Sequence, residues 1–185
     1  MKFRIDPSFL PVDLGGGASL VLRDLTTVDE MFALTERNLD RLKRWEQWAH
    51  GEQTGEALAA YTTWLVSQCS LGLAVPAAIR LDDQLIGAVT ARTDSYSNVI
   101  ELGFWIDGEF EGRGLVGRAS TALVAQLEQA GAPRLEIRTS VQNDRSRHLA
   151  ERLGFVHEAT LRSALQVGDA RHDLAVYGWV PRADQ

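Results

Sequence analysis

The chain has 185 residues, 45% of them hydrophobic and 24% charged, which suits one domain, spanning residues 1–185, with a sizeable core and excludes a disordered polypeptide. Lys and Arg total 19 against 25 Asp and Glu, a net charge of −6, which argues against nucleic acid as a partner because phosphate backbones select basic surfaces. A single cysteine, Cys69, excludes an intramolecular disulfide framework and a cysteine-cluster metal centre, and fits a reducing cytoplasm.

Met1 to Pro7 carry no apolar run of the kind a signal peptide uses, and none is expected. Leu14-Gly-Gly-Gly17 reads as a loop before a strand, Ser19 to Arg23. Thr27-Val-Asp-Glu30 has the spacing of a capping box opening a helix, with Val28, Met31, Phe32 and Thr35 as its buried stripe. A second helical stretch holds Asn38, Leu42, Trp45 and Trp48, and a third begins near Glu56 with Leu58, Tyr61 and Leu65 on one face. Ala57 to Ile79 is uncharged and long enough to span a bilayer, but its Thr, Ser, Gln, Gly and Pro residues break it into helix, turn and strand, so no membrane span is expected. Leu73–Arg80 and Leu85–Thr93 form a hairpin around Asp82-Asp83, and Val99–Ile106 is a third strand. After a glycine-rich turn come a helix from Val116 to Gln129, a strand from Arg134 to Ser140 and a short helix from Ser146 to Leu153 closed by Gly154. Phe155 to Trp179 reads as two strands joined at Gly168-Asp169. This order predicts an α/β or α+β fold: a sheet with helices on its faces.

The turn Glu111-Gly-Arg-Gly-Leu-Val-Gly117 lies between a strand and a helix. Glycines admit an anion close to the backbone, and a helix start offers free N–H groups, so the segment suits a phosphate. Taken alone it is also an ordinary tight turn. No Gly-Lys-Ser/Thr follows, which excludes a P-loop, and the spacing is not that of a dinucleotide-binding Rossmann turn.

Joined to Asn143-x-x-Ser146 and Glu151-Arg-Leu-Gly-Phe155, that turn resembles the signature of the Gcn5-related N-acetyltransferase (GNAT) superfamily, nearest its RimJ/RimL-like branch. Leu20–Arg23, Asn38–Trp48, Ile100–Ile106 and Asp173–Tyr177 resemble further family segments, so the likeness covers nearly the whole chain. It implies a mixed, mostly antiparallel sheet with one splayed strand pair, helices on both faces, acetyl-CoA as cosubstrate, no metal, and a possible homodimer. By resemblance, Trp105 and Ile106 supply backbone contacts and an oxyanion donor, and Glu111, Gly112, Arg113, Gly114, Leu115, Val116 and Gly117 take the pyrophosphate. Asn143 would bond the pantetheine arm, or simply cap a helix. Glu111 departs from the family's Gln/Arg; it is expected to point away, with Arg113 and Arg118 offsetting its charge. The local positive field is expected from the helix start after Gly114, with Arg113, Arg118 and Arg145 or Arg147.

The tyrosine that many relatives use to protonate the thiolate is replaced by Ala150, so the resemblance passes the acid role to Ser146. The branch's glutamate is replaced by Leu165. Glu101 on the central strand is the substitute base, with a strand-edge ion pair as its other reading; Glu158 and His148 are weaker candidates. Trp45 and Trp48, three apart on one helical face, are expected to line the acceptor cleft, and Trp64 to pack in the core. The expected reaction is direct attack of a primary amine in a ternary complex, without a Cys69 intermediate. The acceptor is a protein N-terminal α-amine, a small amine or polyamine, or an aminoacyl or antibiotic amine; a non-catalytic acyl-CoA-binding module is the competing class.

Overall fold

A computed structural model describes residues 3–181. Its sheet is built from β1 (Val12–Gly15), β2 (Ala18–Leu22), β3 (Ala74–Leu81), β4 (Gln84–Thr93), β5 (Ile100–Ile106), β6 (Leu135–Ser140), β7 (Val156–Val167) and β8 (Ala170–Trp179). Their spatial order is β1-β2-β3-β4-β5-β6-β8-β7. Every pairing is antiparallel except β5 with β6. Parallel neighbours need a crossover, and α3 (Leu115–Gln129) provides it. The other helices are α1 (Val28–Leu42), α2 (Gly55–Ser70) and α4 (Asp144–Arg152).

Alternation along β3 divides the core. Val75, Ala77 and Ile79 join the main cluster with Leu115, Ala119 and Leu123 of α3. Ala78 joins Met31 and Leu34 of α1 with Leu85 and Ala88 of β4. Helices therefore cover both faces, as the resemblance implied. Fully burying one such Met or Leu side chain contributes about 1.5–3 kcal/mol, so α1 is held by its apolar stripe.

The decisive departure from a regular sheet is between β5 and β6. They pair only at Ile100↔Leu135 and Glu101↔Glu136, whereas β5 pairs β4 from Ile100 to Ile106. Beyond Glu101 the two strands part, and this is the predicted splayed pair. Gly87 keeps β4 tight against β5 at the opening: a Cβ there would lie 2.4 Å from the Trp105 carbonyl oxygen.

Several local expectations are corrected. The three glycines Gly15, Gly16 and Gly17 all have positive φ and turn a β1–β2 hairpin, so a strand precedes the one predicted. Thr27 makes no side-chain cap; its hydroxyl donates to the Asp24 carbonyl at 2.7 Å, and Glu30 pairs with Arg80 at 3.1 Å instead. Thr27 turns back to the preceding turn, and Glu30 reaches a partner 50 residues away. Asn38 and Leu42 belong to α1, which ends before Trp45; Trp48 lies in a short 3-10 turn, Gln47–His50, so the two tryptophans share no helix face. On α2 the buried face is Thr62, Leu65 and Cys69, while Tyr61 and Trp64 stack outside it with ring centroids 5.8 Å apart. Trp64 is 45% exposed and is not a core residue. The uncharged Ala57–Ile79 stretch is most of α2, a turn and most of β3; among the described residues no helix is long and apolar enough to cross a membrane.

Candidate active site

The parting of β5 from β6 opens a cleft of about 1240 Å³, lined by Phe104, Trp105 and Ile106 of β5, the turn before α3, the start of α4 and the segment after α1. Residues Gly112, Gly114, Leu115, Val116 and Gly117 line it; Arg113 does not. Gly112 and Gly114 have φ of +75° and +72°, a left-handed backbone that side chains with a Cβ adopt at a cost. Gly114 is the N-cap of α3 and no side chain caps that helix. The first-turn N–H groups of a helix have no internal partner, so an array of donors with the positive dipole end faces the cleft.

Asn143, 9% exposed, caps α4: its Oδ1 accepts from the Ser146 N–H at 3.2 Å. This cap leaves the Asn143 amide group on the cleft wall beside Ser146. The Ser146 hydroxyl makes no hydrogen bond among the described residues. Ala150 is buried, so the missing tyrosine position is a packing site here.

The charges around the turn are arranged differently from expectation. Glu111 lines the cleft instead of pointing away, and its two oxygens are held by Arg41 of α1 and Arg145 of α4. Arg113 donates to the Glu109 carbonyl at 3.0 Å and lies over Phe110, and Arg118 donates to the Leu14 and Gly15 carbonyls. Neither offsets Glu111. Arg147 is spent on the Tyr177 hydroxyl and the Val141 carbonyl. The cleft is lined by five arginines, Arg41, Arg44, Arg118, Arg145 and Arg152, against three carboxylates, Asp13, Glu46 and Glu111. A chain of net charge −6 thus keeps a locally basic groove.

A polar strip of α1 fixes the turn. Asn38, 3% exposed, accepts from the Gly108 N–H at 3.1 Å and from Arg41. Arg37 bonds the buried Asp107 at 2.7 Å. Burial alone would raise the Asp107 carboxyl, but the Arg37 hydrogen bond, with the Glu109 N–H and Asn38, holds it below the usual carboxylate range.

On the acceptor side, Trp45 lines the cleft, and Trp48, 45% exposed, packs against Trp105 with centroids 6.5 Å apart. The Trp48 indole N–H donates to Glu46 Oε2 at 2.9 Å. Burial pushes the Glu46 carboxyl above the usual range; the Trp48 bond opposes this, Glu101 adds to it and Arg92 works against it. Glu46 passed unnoticed in the sequence, where it is one polar residue among several. Glu101 does not line the cleft: it projects beside Arg92, 3.8 Å away. Of the weaker candidates, His148 sits exposed on the cleft wall, while Glu158 of β7 pairs with Arg134 just before β6. Leu165 is on β7 and Cys69 on α2, both outside the cleft. Burial pushes the Cys69 thiol up, away from reactivity.

The sequence of residues 19–156 matches the acetyltransferase (GNAT) domain family. The chain is 28% identical over 158 residues to YdaF of Bacillus subtilis, named as an inferred ribosomal N-acetyltransferase, covering 83% of this chain and 86% of that protein. It is 33% identical over 98 residues to the ribosomal-protein-serine acetyltransferase of Escherichia coli, covering 52% of this chain and 55% of that one. Among solved structures, RimL, a ribosomal L7/L12 alpha-N-protein acetyltransferase in complex with coenzyme A, shares the fold with a TM-score of 0.89 at 20% identity, over 94% of this chain and 99% of that one.

Proposed function

This chain belongs to the GNAT acetyltransferase family, and on that premise we propose that it moves the acetyl group of acetyl-CoA directly to a primary amine, a protein N-terminal α-amine before any other. The observation that carries this reading is the parting of β5 from β6 beside an uncapped helix start. It leaves the β6-facing edge of Leu102 to Ile106 without a strand partner and ends at a ring of N–H donors. An extended amide-bearing arm fits the first, and a diphosphate fits the second.

Acetyl-CoA supplies an activated thioester. The chain's own groups supply the rest. The main-chain N–H of Ile106, on the β5 edge that faces away from β4, orients the carbonyl and receives its developing charge, whereas that of Trp105 points to β4 opposite Ala88. Asn143 steadies the arm from the opposite wall, and the uncommitted hydroxyl of Ser146 delivers a proton to the departing sulfur. Arg118 and Arg145 flank the anionic end.

Two considerations favour an α-amine. Its pKa of about 7.7–8.0 leaves a useful neutral fraction at pH 7, where a lysine at about 10.4 has almost none. The curated relatives are also named for ribosomal proteins. The same reading takes the chain as one domain acting in the cytoplasm as a homodimer, the last to be checked by sedimentation.

The test is thiol release from acetyl-CoA with three acceptors: a peptide beginning in serine or alanine, an N-blocked lysine peptide, and spermidine. The free-N-terminus peptide is expected to lead by tenfold or more in kcat/KM. Preference for spermidine would overturn the acceptor assignment, and coenzyme binding without turnover on any amine would overturn the enzyme assignment. Ser146→Ala is expected to lower kcat at least tenfold (about 1.4 kcal/mol) while leaving the fold intact, because the Asn143 cap uses only the Ser146 main-chain N–H.

A further inference from the structure

We propose that Glu46 is the general base for the acceptor amine, and that it forms with Trp105 a subsite that receives the acceptor as its ammonium, backed from outside the cleft by Trp48 and Glu101. The inference rests on the acetyl-transfer reading and names the group which that reading leaves open, since Leu165 occupies the place of the family glutamate and Glu101 lies outside the cleft.

Of the carboxylates on the cleft wall, Glu46 alone is both part-buried and unpaired with a cation. Glu111 is held by two arginines, and Asp13 is exposed on β1, where it accepts from the Gly15 N–H at 2.8 Å. Among the described residues the Glu46 carboxylate has no ion pair, and its single hydrogen bond is the one from Trp48. That bond fixes one carboxylate oxygen and leaves the other for a substrate proton. Its support is rigid: Gln47 accepts from the Gly168 N–H at 2.8 Å, Ala49 is fully buried and the His50 ring is within 2.8 Å of the Lys43 carbonyl. Such fixing keeps a base in place without ordering cost on binding.

The surroundings suit a cation. The faces of the Trp48 and Trp105 rings are electron-rich, and Glu101 of β5 adds a second negative charge on the same sheet face as Trp105. The facing charges are Glu101 from β5 and Arg92 from β4, with Arg44 on the cleft wall. Burial raises the Glu46 carboxyl toward the range in which a base both accepts and releases protons.

The balance is as follows. The ammonium gives one proton to Glu46. The freed nitrogen lone pair forms the N–C bond to the acetyl carbon as the C–S bond breaks, and sulfur keeps that electron pair. The second proton lost from nitrogen reaches sulfur by way of Ser146, and the proton on Glu46 passes to solvent.

The test compares pH profiles of kcat/KM for wild type, Glu46→Gln, Glu46→Asp and Glu101→Gln with acetyl-CoA and a serine-initiated peptide. Glu46→Gln keeps an acceptor for Trp48. It is expected to lose thirtyfold or more at neutral pH, with the deficit shrinking as the amine loses its own proton in alkali, and with coenzyme affinity unchanged. Glu46→Asp should recover part of the rate. Glu101→Gln removes a negative neighbour, so the acid limb should move to lower pH. An active wild type with Glu46→Gln within threefold and an unmoved acid limb overturns the inference and spares the transferase reading. Equal losses in Glu46→Gln and Glu46→Asp, with the profile unchanged, mark a structural role and also overturn it. A wild type that turns over no amine overturns both.

Discussion

Replacing Glu111 with glutamine is expected to tighten the binding of coenzyme A. In the free protein the Glu111 carboxylate bridges Arg41 and Arg145, whose side chains are 38% and 80% exposed, at the anion-binding end of the cleft. It therefore places a negative charge where the diphosphate is proposed to sit, and occupies two cations that could face it. A unit charge about 8 Å from a doubly charged diphosphate costs about 1 kcal/mol in a water-like dielectric. One Debye length of screening reduces this to about 0.4 kcal/mol. Relieving it corresponds to a gain of about two- to fivefold in Kd. The same change removes two part-exposed ion pairs, worth about 0.2–1 kcal/mol each, so the ligand-free protein should lose about 1–8 °C of Tm at about 2–4 °C per kcal/mol. Titration calorimetry with coenzyme A at about 50 mM and about 300 mM salt measures the first effect, which should shrink as the Debye length shortens. Unchanged or weaker binding at low salt would refute the reasoning and make Glu111 a brace that the arginines need.

Three further substitutions probe the frame of the site. Asn143→Ala removes the α4 cap and should cost about 1 kcal/mol, read as a fall in Tm, together with a higher KM for acetyl-CoA; an unchanged KM would confine Asn143 to capping. Gly87→Ala would set a Cβ 2.4 Å from the Trp105 carbonyl oxygen, and should cost about 1–3 kcal/mol as strands β4 and β5 are forced apart; a loss within about 0.5 kcal/mol, in the range of neutral surface changes, would refute the packing. Asp107 has a folded-state pKa held below its unfolded value, so its contribution is present above about pH 4 and is lost as pH falls through the lower folded value. Denaturant titrations should show Asp107→Asn less stable than wild type at neutral pH, with the gap closing in acid; a gap independent of pH would refute the assignment.

The fold was readable where chemistry is local. Asp82-Asp83 between two β-rich runs announced the β3–β4 hairpin, and the glycine turn announced the start of α3. The glycines before β2 concealed β1, because a glycine run that turns a hairpin reads like one that merely loops. The tryptophan spacing suggested a continuing helix, yet α1 stops once its apolar stripe ends at Leu42, and Glu46 is extended, with φ −116° and ψ 114°. The site was legible as a list of backbone positions and illegible as electrostatics. Arg41 lies 70 residues from Glu111 and Arg145 lies 34 away, and no local pattern ties such partners together. The relation of Glu46 to Glu101 likewise exists only once the segment after α1 folds over β5.

The two-residue contact between β5 and β6 also bears on how the molecule unfolds. The sheet is a five-stranded half, β1 to β5, and a three-stranded half, β6 to β8, whose strands meet only at those pairs; α3, the shared apolar core, the Arg145–Glu111 pair and the clasp of Gly168 on Gln47 hold them together. With so short a strand contact, the amides of β6 to β8 should exchange at a rate distinct from those of β3 and β4. A ligand lodged between them acts as a splint. Occupying the cleft should raise the protection of both halves together, so that the coenzyme stands in for the strand pairing that β5 and β6 lack.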